Sequence, residues 1–238
     1  MKTAIVFGAT SGIGKEISEL LLKDGYKVAI TGRRLEKLEA LKNQYSNQVY
    51  IAQNDIQKVD EVEKVFNDIL EEFTTIDLII QSSGVGHINP TLAWDKEEET
   101  IFTNVVGVTK LYDLSFNLFR EQGFGHLVGI TSIASIRGNR GAPAYFSSKA
   151  YQKAYLESLY MKTKTIKSNK VFITDIRPGF VDTAMALGEG IFWMVSLEKA
   201  AKQIYTAIKK KKTPILCTSL LWHRTTAKIS HAMRSGKP

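Results

Sequence analysis

The sequence predicts a doubly wound α/β fold, with a parallel sheet of about seven strands and helices on both faces. Three observations predict it. Short, β-branched apolar runs alternate with helix-period segments from one end of the chain to the other. Those runs are apolar throughout rather than alternately polar and apolar, as expected of strands covered on both faces. The first of them passes directly into a glycine-rich turn, GATSGIG, that opens a helix. With 238 residues, 44% of them hydrophobic, the chain can bury one large core, and no repeat, low-complexity tract or linker divides it. The expectation is one domain, 1–238, with a basic extension at about 218–238.

Taken in order, the expected strands are TAIVFGA (3–9), KVAITG (27–32), VYIAQN (49–54), DLIIQS (77–82), HLVGITS (126–132), KVFITDI (170–176) and PILC (214–217). The helix-period segments between them are 15–25, stopped by Gly25, then 35–45 and 59–73. Longer helices are expected over 97–121 and over 143–164, the latter opened by Pro143. The last helix, SLEKAAKQIYTAIKKKK, has Ser196 as N-cap and lysines at its C-terminal end, where the helix dipole favours cations.

Composition excludes several classes. The single cysteine, Cys217, cannot form an internal disulfide and suits a reducing compartment, so a cytoplasmic location is expected. The N-terminal apolar run is too short for a signal peptide, and no run of about 18 apolar residues could span a membrane. Four scattered histidines give no zinc signature, and no metal is expected. The net charge of +8 is uneven: residues 199–238 hold ten Lys and Arg and no acid, leaving 22 basic and 24 acidic side chains elsewhere. A near-neutral body argues against a nucleic-acid partner despite the high pI.

The glycine loop carries the first chemical signal. Gly8, Gly12 and Gly14, with Thr10, Ser11 and Ile13 between and beside them, join a strand to a helix N-terminus. Glycines there permit a tight turn and let backbone N–H groups approach a pyrophosphate; an ordinary strand–helix turn is the plainer reading. The second strand ends in TGRR, with Gly32 at the tip and no acid before Glu36. A carboxylate at that place would take the ribose hydroxyls of NAD(H). Arg33 and Arg34 instead suit a 2′-phosphate, favouring NADP(H) with NAD(H) as the second choice, unless they are a solvated pair.

The second signal is SIASIRGNRGAPAYFSSK, residues 132–149. Tyr145 and Lys149 are four apart and share one helix face. A phenol with a reference pKa of about 10 is a poor acid–base group at neutral pH, and a nearby ammonium should lower it. Ser132 could hold a carbonyl oxygen as charge develops on it. Read alone, the pair could be an ordinary helix surface.

Five motifs together are more specific. GATSGIG, NVVG (104–107), Ser132 at the end of strand five, YFSSK (145–149) and RPGFVDT (177–183) resemble the short-chain dehydrogenase/reductase family in order and spacing, including the thirteen residues from Ser132 to Tyr145. The resemblance covers about residues 3–217 and implies a Rossmann-like fold and hydride transfer between a nicotinamide cofactor and a carbonyl or secondary alcohol. It implies a catalytic set of Asn104, Ser132, Tyr145 and Lys149, with Lys149 also binding the nicotinamide ribose and Asn104 positioning a water that continues the proton relay. It implies cofactor contacts from Gly8, Thr10, Ser11, Gly12, Ile13, Gly14, Asp55, Ile56, Gln81, Ser83, Gly84, Pro178, Gly179, Val181 and Thr183, as well as Asn104, Tyr145 and Lys149. Asp55 could otherwise be a turn or N-cap residue. Two departures stand out: Phe7 precedes the first glycine where threonine is usual, and Gln81-Ser82-Ser83-Gly84 replaces Asn-Asn-Ala-Gly.

The segment MALGEGIFWMVS (185–196) should face the substrate, and Ile191, Phe192, Trp193 and Met194 suit a small hydrophobic one, although such a cluster can equally be core or a subunit contact. In the tail, Leu221, Trp222, Ile229 and Met233 mix with His223, Arg224, Lys228 and Arg234. Peripheral contact with an anionic membrane and docking on a sister subunit of a homodimer or homotetramer both fit that mixture. The leading function is an NADP-dependent carbonyl reductase or alcohol dehydrogenase; the alternative is a catalytically idle dinucleotide-binding sensor or interaction protein.

Overall fold

The computed structural model of the chain describes residues 1–168, 170–182 and 194–211, and the backbone of 216–217. The strands are β1 (Thr3–Phe7), β2 (Lys27–Gly32), β3 (Val49–Gln53), β4 (Leu78–Gln81), β5 (Gly125–Ile130), β6 (Val171–Arg177) and β7 (Leu216–Cys217). The helices are α1 (Gly12–Lys23), α2 (Leu35–Tyr45), α3 (Val59–Glu72), α4 (Trp94–Ile101), α5 (Val108–Gln122), α6 (Pro143–Thr163) and α7 (Leu197–Lys209). All strands pair in parallel in the order β3-β2-β1-β4-β5-β6-β7, six of them full-length and the seventh two residues long.

Strand β1 shows why the fold has two cores. Ala4 and Val6 point to one face, where Ile17 and Leu21 of α1, Leu38 of α2 and Ile204 of α7 pack. Ile5 and Phe7 point to the other, against Val62 and Phe66 of α3, Leu111 of α5 and Leu156 of α6. Both faces of the strand are sealed, so it reads as a continuous apolar run. Each such buried Ile, Leu or Phe contributes about 1.5–3 kcal/mol relative to exposure.

Three local expectations are corrected. Helix α1 starts at Gly12, inside the glycine motif, with Ser11 at its N-cap rather than at Lys15. It stops as expected: Gly25 has φ +81°, and its N–H and that of Tyr26 take the Leu22 and Leu21 carbonyls. The helix expected over 97–121 runs from Trp94 to Gln122 but widens over Phe102–Gly107 into a π-helical turn. Strand β5 ends at Ile130, so Ser132 lies beyond it, capping a 3-10 turn over Ile133–Ile136. Ser196 caps α7 as expected, its hydroxyl accepting from Lys199 N–H. The substrate segment up to Trp193 and the tail from 218 lie outside the described residues.

Candidate active site

Because the strands are parallel, their C-terminal ends share one edge of the sheet. The chain reverses direction across the sheet between β1 and β4, leaving a crevice at that edge where ligands of such folds bind. The glycine loop lines one side of it. Gly8 has φ +85°, and a side chain there would stand 2.6 Å from Ser83 N, so the loop lies backbone to backbone on the segment after β4. Gly14 is equally constrained, since a Cβ would strike the Gly8 carbonyl. Gly12 takes φ +58° to turn the chain into α1, followed by half-buried Ile13 against the core.

The two arginines part company. Arg34 donates to Thr10 Oγ1 and Ser11 Oγ, both at 2.7 Å, so its guanidinium lies over the loop. Arg33 turns away and pairs with Glu99 of α4 at 3.7 Å, while the other Glu99 oxygen contacts the His87 ring at 2.7 Å. Asp55 accepts from Gln57 N–H at 3.2 Å, a turn-stabilising bond, and Ile56 is buried under the π-helical turn. The departures are accommodated locally. Phe7 stacks on Phe66 with centroids 6.4 Å apart, and buried Gln81 donates to Ser83 O at 2.7 Å, bracing the segment that a paired Asn would otherwise hold.

The other side of the crevice gathers Asn104, Ser132, Tyr145 and Lys149. Pro143 is the first residue of α6, which puts Tyr145 in its first turn and Lys149 one turn on. The Tyr145 ring lies on Gly86, where an added Cβ would be 2.8 Å from it. Lys149 is buried, donating to Ile130 O at 3.2 Å and to Gln152 Oε1 at 3.1 Å, with Nζ 5.9 Å from the Tyr145 ring centroid. Asn104 sits in the π-helical turn, donating to Val85 O (2.7 Å) and Ser148 Oγ (3.0 Å) and accepting from Val85 N–H (2.9 Å). A Cβ on Gly84 would meet Asn104 Oδ1 at 3.3 Å and Lys149 Nζ at 3.5 Å, which shows how closely these groups converge. Ser132 Oγ accepts from Ala134 N–H at 3.1 Å, and the adjoining Ile133 N–H binds Pro178 O at 3.0 Å, tying Ser132 to the β6 end. Beyond Gly179, Val181 bridges to Val195. Thr183 lies outside the described residues.

Electrostatics correct one expectation. Burial raises the Tyr145 phenol above its ordinary value, and a hydrogen bond to Ser132 only partly opposes this. The buried Lys149 ammonium is itself pushed down to about 8 by desolvation, partly offset by Asp175. Tyr145 is therefore held as a protonated phenol at neutral pH.

The short chain dehydrogenase family model matches residues 2–189. The chain belongs to the short-chain dehydrogenase family. An uncharacterized oxidoreductase of Myxococcus xanthus is 32% identical to this short-chain dehydrogenase over 189 residues, 77% of this chain and 74% of that protein. A short chain dehydrogenase structure from Bacillus anthracis superposes with TM-score 0.83 at 22% identity, covering 93% of this chain and 96% of that one. An alcohol dehydrogenase from Thermococcus sibiricus, complexed with 5-hydroxy-NADP, gives TM-score 0.77 at 25% identity, covering 91% and 95%.

Two residues of the crevice escaped the sequence reading of this short-chain dehydrogenase. Nothing local to Gly86 says that a tyrosine 59 positions on will lie against it. Gln152 stands three residues after Lys149, on the same helix face, and is fully buried. Its Nε2 donates to Asn104 O at 2.7 Å while its Oε1 accepts from Lys149. A side-chain amide thus stands between the two groups that a water was expected to link.

Proposed function

We propose that the chain reduces a carbonyl of a small, hydrophobic substrate to the alcohol, with NADPH preferred. The observation that carries this is the convergence of Ser132, Tyr145, Lys149 and Asn104 opposite the glycine loop. The residues fit a dinucleotide: the loop has no room for side chains at Gly8 and Gly14, which brings backbone N–H groups close to a bound pyrophosphate. Arg34, Thr10 and Ser11 bring a guanidinium and two hydroxyls to one point, a donor set suited to a 2′-phosphate. The likeness to an alcohol dehydrogenase complexed with 5-hydroxy-NADP supports the same cofactor class.

Bound NADPH would supply the hydride, and the chain's own residues handle the matching proton. Ser132 holds the carbonyl oxygen by a hydrogen bond that strengthens as negative charge develops. Tyr145, kept protonated by burial, gives its phenolic proton to that oxygen, breaking its O–H bond as the alcohol O–H forms. The Lys149 ammonium favours the phenolate left behind and, with Asn104 behind it, holds the proton supply at Nζ. The experiment is a panel of carbonyls and alcohols assayed by cofactor absorbance with both nicotinamide cofactors. Turnover that is faster with NADPH supports the reading; tight cofactor binding with no turnover across the panel would make the protein a sensor instead.

Assembly and location follow from less specific features. Half-exposed Phe102 and Val106 in the π-helical turn and Tyr151 of α6 present apolar surface suited to a sister subunit in a homodimer or homotetramer. A cytoplasmic enzyme with peripheral, salt-sensitive membrane contact is proposed from the basic charge of residues 199–238. Flotation with anionic vesicles at low salt, comparing the full chain with one truncated after Ser219, should show binding that truncation abolishes.

A further inference from the structure

Gln152 is a buried carboxamide whose two ends are both held by groups of the crevice. It is 0% exposed, on the face of α6 that also carries the apolar residues Leu156 and Leu159. Placing an amide there is costly unless both of its polar ends are matched. Both are, and by groups from different elements: Lys149 Nζ at 3.1 Å and the Asn104 carbonyl at 2.7 Å. Asn104 cannot substitute, because its own side chain is committed to Val85 and Ser148. Lys149 has three N–H donors. Ile130 O and Gln152 take two, which leaves the third for the Tyr145 side.

We propose that Gln152 is a positioning residue of the proton relay: its carboxamide takes the place of a bridging water, clamps the Lys149 ammonium to the Asn104 carbonyl and fixes which way its remaining N–H points. The proposal rests on the reading of Tyr145 and Lys149 as the acid and its partner. An amide differs from water in what it can do there. Its carbonyl accepts a hydrogen bond from the ammonium and its N–H₂ donates one to Asn104, but it can hand on a proton only by becoming its high-energy imidic form. The clamp therefore holds charge at Lys149 without carrying it further.

The groups facing Lys149 are few. Tyr145 faces it from α6, and Asp175 acts on it from β6, itself held by Arg177 at 2.7 Å and by Thr131. Tyr112 of α5 is fully buried on the same side of the sheet, near Asp175. The segment after β4 presents Gly84, which has no titratable group.

The test reads Lys149 directly in the protein without cofactor. With ¹³C-labelled lysine, the Lys149 Cε resonance is assigned by its loss in Lys149→Met, and its titration midpoint is followed with pH. The parent midpoint is expected near 8. Gln152→Met keeps the volume and removes the acceptor, so the midpoint should fall by about one pH unit. Gln152→Glu places a carboxylate against the ammonium and should raise it by about one unit or more. Midpoints unmoved in both variants, with only a lowered melting temperature, would make Gln152 a packing residue and overturn the proposal. If Gln152→Met does not fold, the sign of the Gln152→Glu shift decides alone. A parent that neither binds nor turns over nicotinamide cofactors would defeat the proposed function, while the Lys149 midpoints would still judge Gln152.

Discussion

Tyr145 and Lys149 titrate in the opposite order from free tyrosine and lysine: burial raises the phenol while it lowers the ammonium to about 8. For the proposed reduction this is useful, because the proposed acid is loaded at neutral pH and its charged partner is lost only on the alkaline side. The rate of carbonyl reduction should therefore fall as pH rises through about 8, the Lys149 value. Tyr145→Phe removes the proton and keeps the ring on Gly86. Its turnover should drop by on the order of 10²-fold or more while cofactor affinity changes little. A Phe variant with parental turnover would end the assignment of Tyr145 as the acid. The arginines give a second residue-level prediction. Arg34 lies over Thr10 and Ser11, whereas Arg33 pairs with Glu99, so Arg34→Ala should weaken NADPH binding about tenfold or more and Arg33→Ala much less, with NADH little affected by either. Equal losses for both cofactors would show that Arg34 does not meet a 2′-phosphate. The Tyr145–Lys149 pairing was legible because one helical turn separates the two. The division of labour between Arg33 and Arg34 was missed, although consecutive residues leaving a strand point to opposite sides.

The long helix from Trp94 to Gln122 was legible as a helix, and its interruption was not. Apolar periodicity says nothing about one extra residue in a turn, and the groups that the π-helical turn meets lie in distant parts of the chain. The widened turn carries Asn104 toward Val85 and Ser148, and Gly107 closes it against the Ile56 carbonyl, where no Cβ would fit. Gln152 was missed for the same reason, since its meaning depends on the Asn104 carbonyl that this turn presents. Gly107→Ala should therefore do two things at once. It should lower the urea midpoint by the equivalent of about 1–3 kcal/mol, because backbone must move to admit the methyl group. It should also lower turnover in the folded protein at saturating denaturant-free conditions, because the same movement displaces Asn104 from behind Lys149. Lost stability with parental turnover would show that the turn is structural only.

At the scale of the whole molecule, alternation of apolar runs and helices was enough to give the parallel sheet covered on both faces. The strand order was not readable, because the central strands β1, β4 and β5 are sealed on both sides and any neighbour would satisfy their apolar pattern. One polar residue inside that sheet, His126, should link the molecule's stability to acid. His126 lies at the start of β5, 4% exposed, its Nε2 2.8 Å from Thr174 Oγ1 on β6 and its ring edge-on to Phe172. Burial lowers its pKa from 6.5 to about 3, with the Lys211 ammonium adding to the effect. The unfolded chain takes up a proton on this imidazole below about 6.5, and the folded chain does so only near 3. Over that interval the unfolded state binds more protons, so stability falls as pH falls, by an amount reaching on the order of 4 kcal/mol at the acid end. Carboxylates with lowered values, such as Asp24 and Glu198, have ordinary values of 3.8 and 4.5 and stay largely ionised in the unfolded chain at pH 5.5, so a loss between 6.5 and 5.5 precedes theirs. His126→Gln keeps a side chain able to hydrogen-bond Thr174 and cannot be charged. Urea unfolding measured at pH 6.5, 5.5 and 4.5 should show the parent losing stability progressively and the Gln variant holding nearly level. Equal slopes for the two proteins would place the acid sensitivity elsewhere.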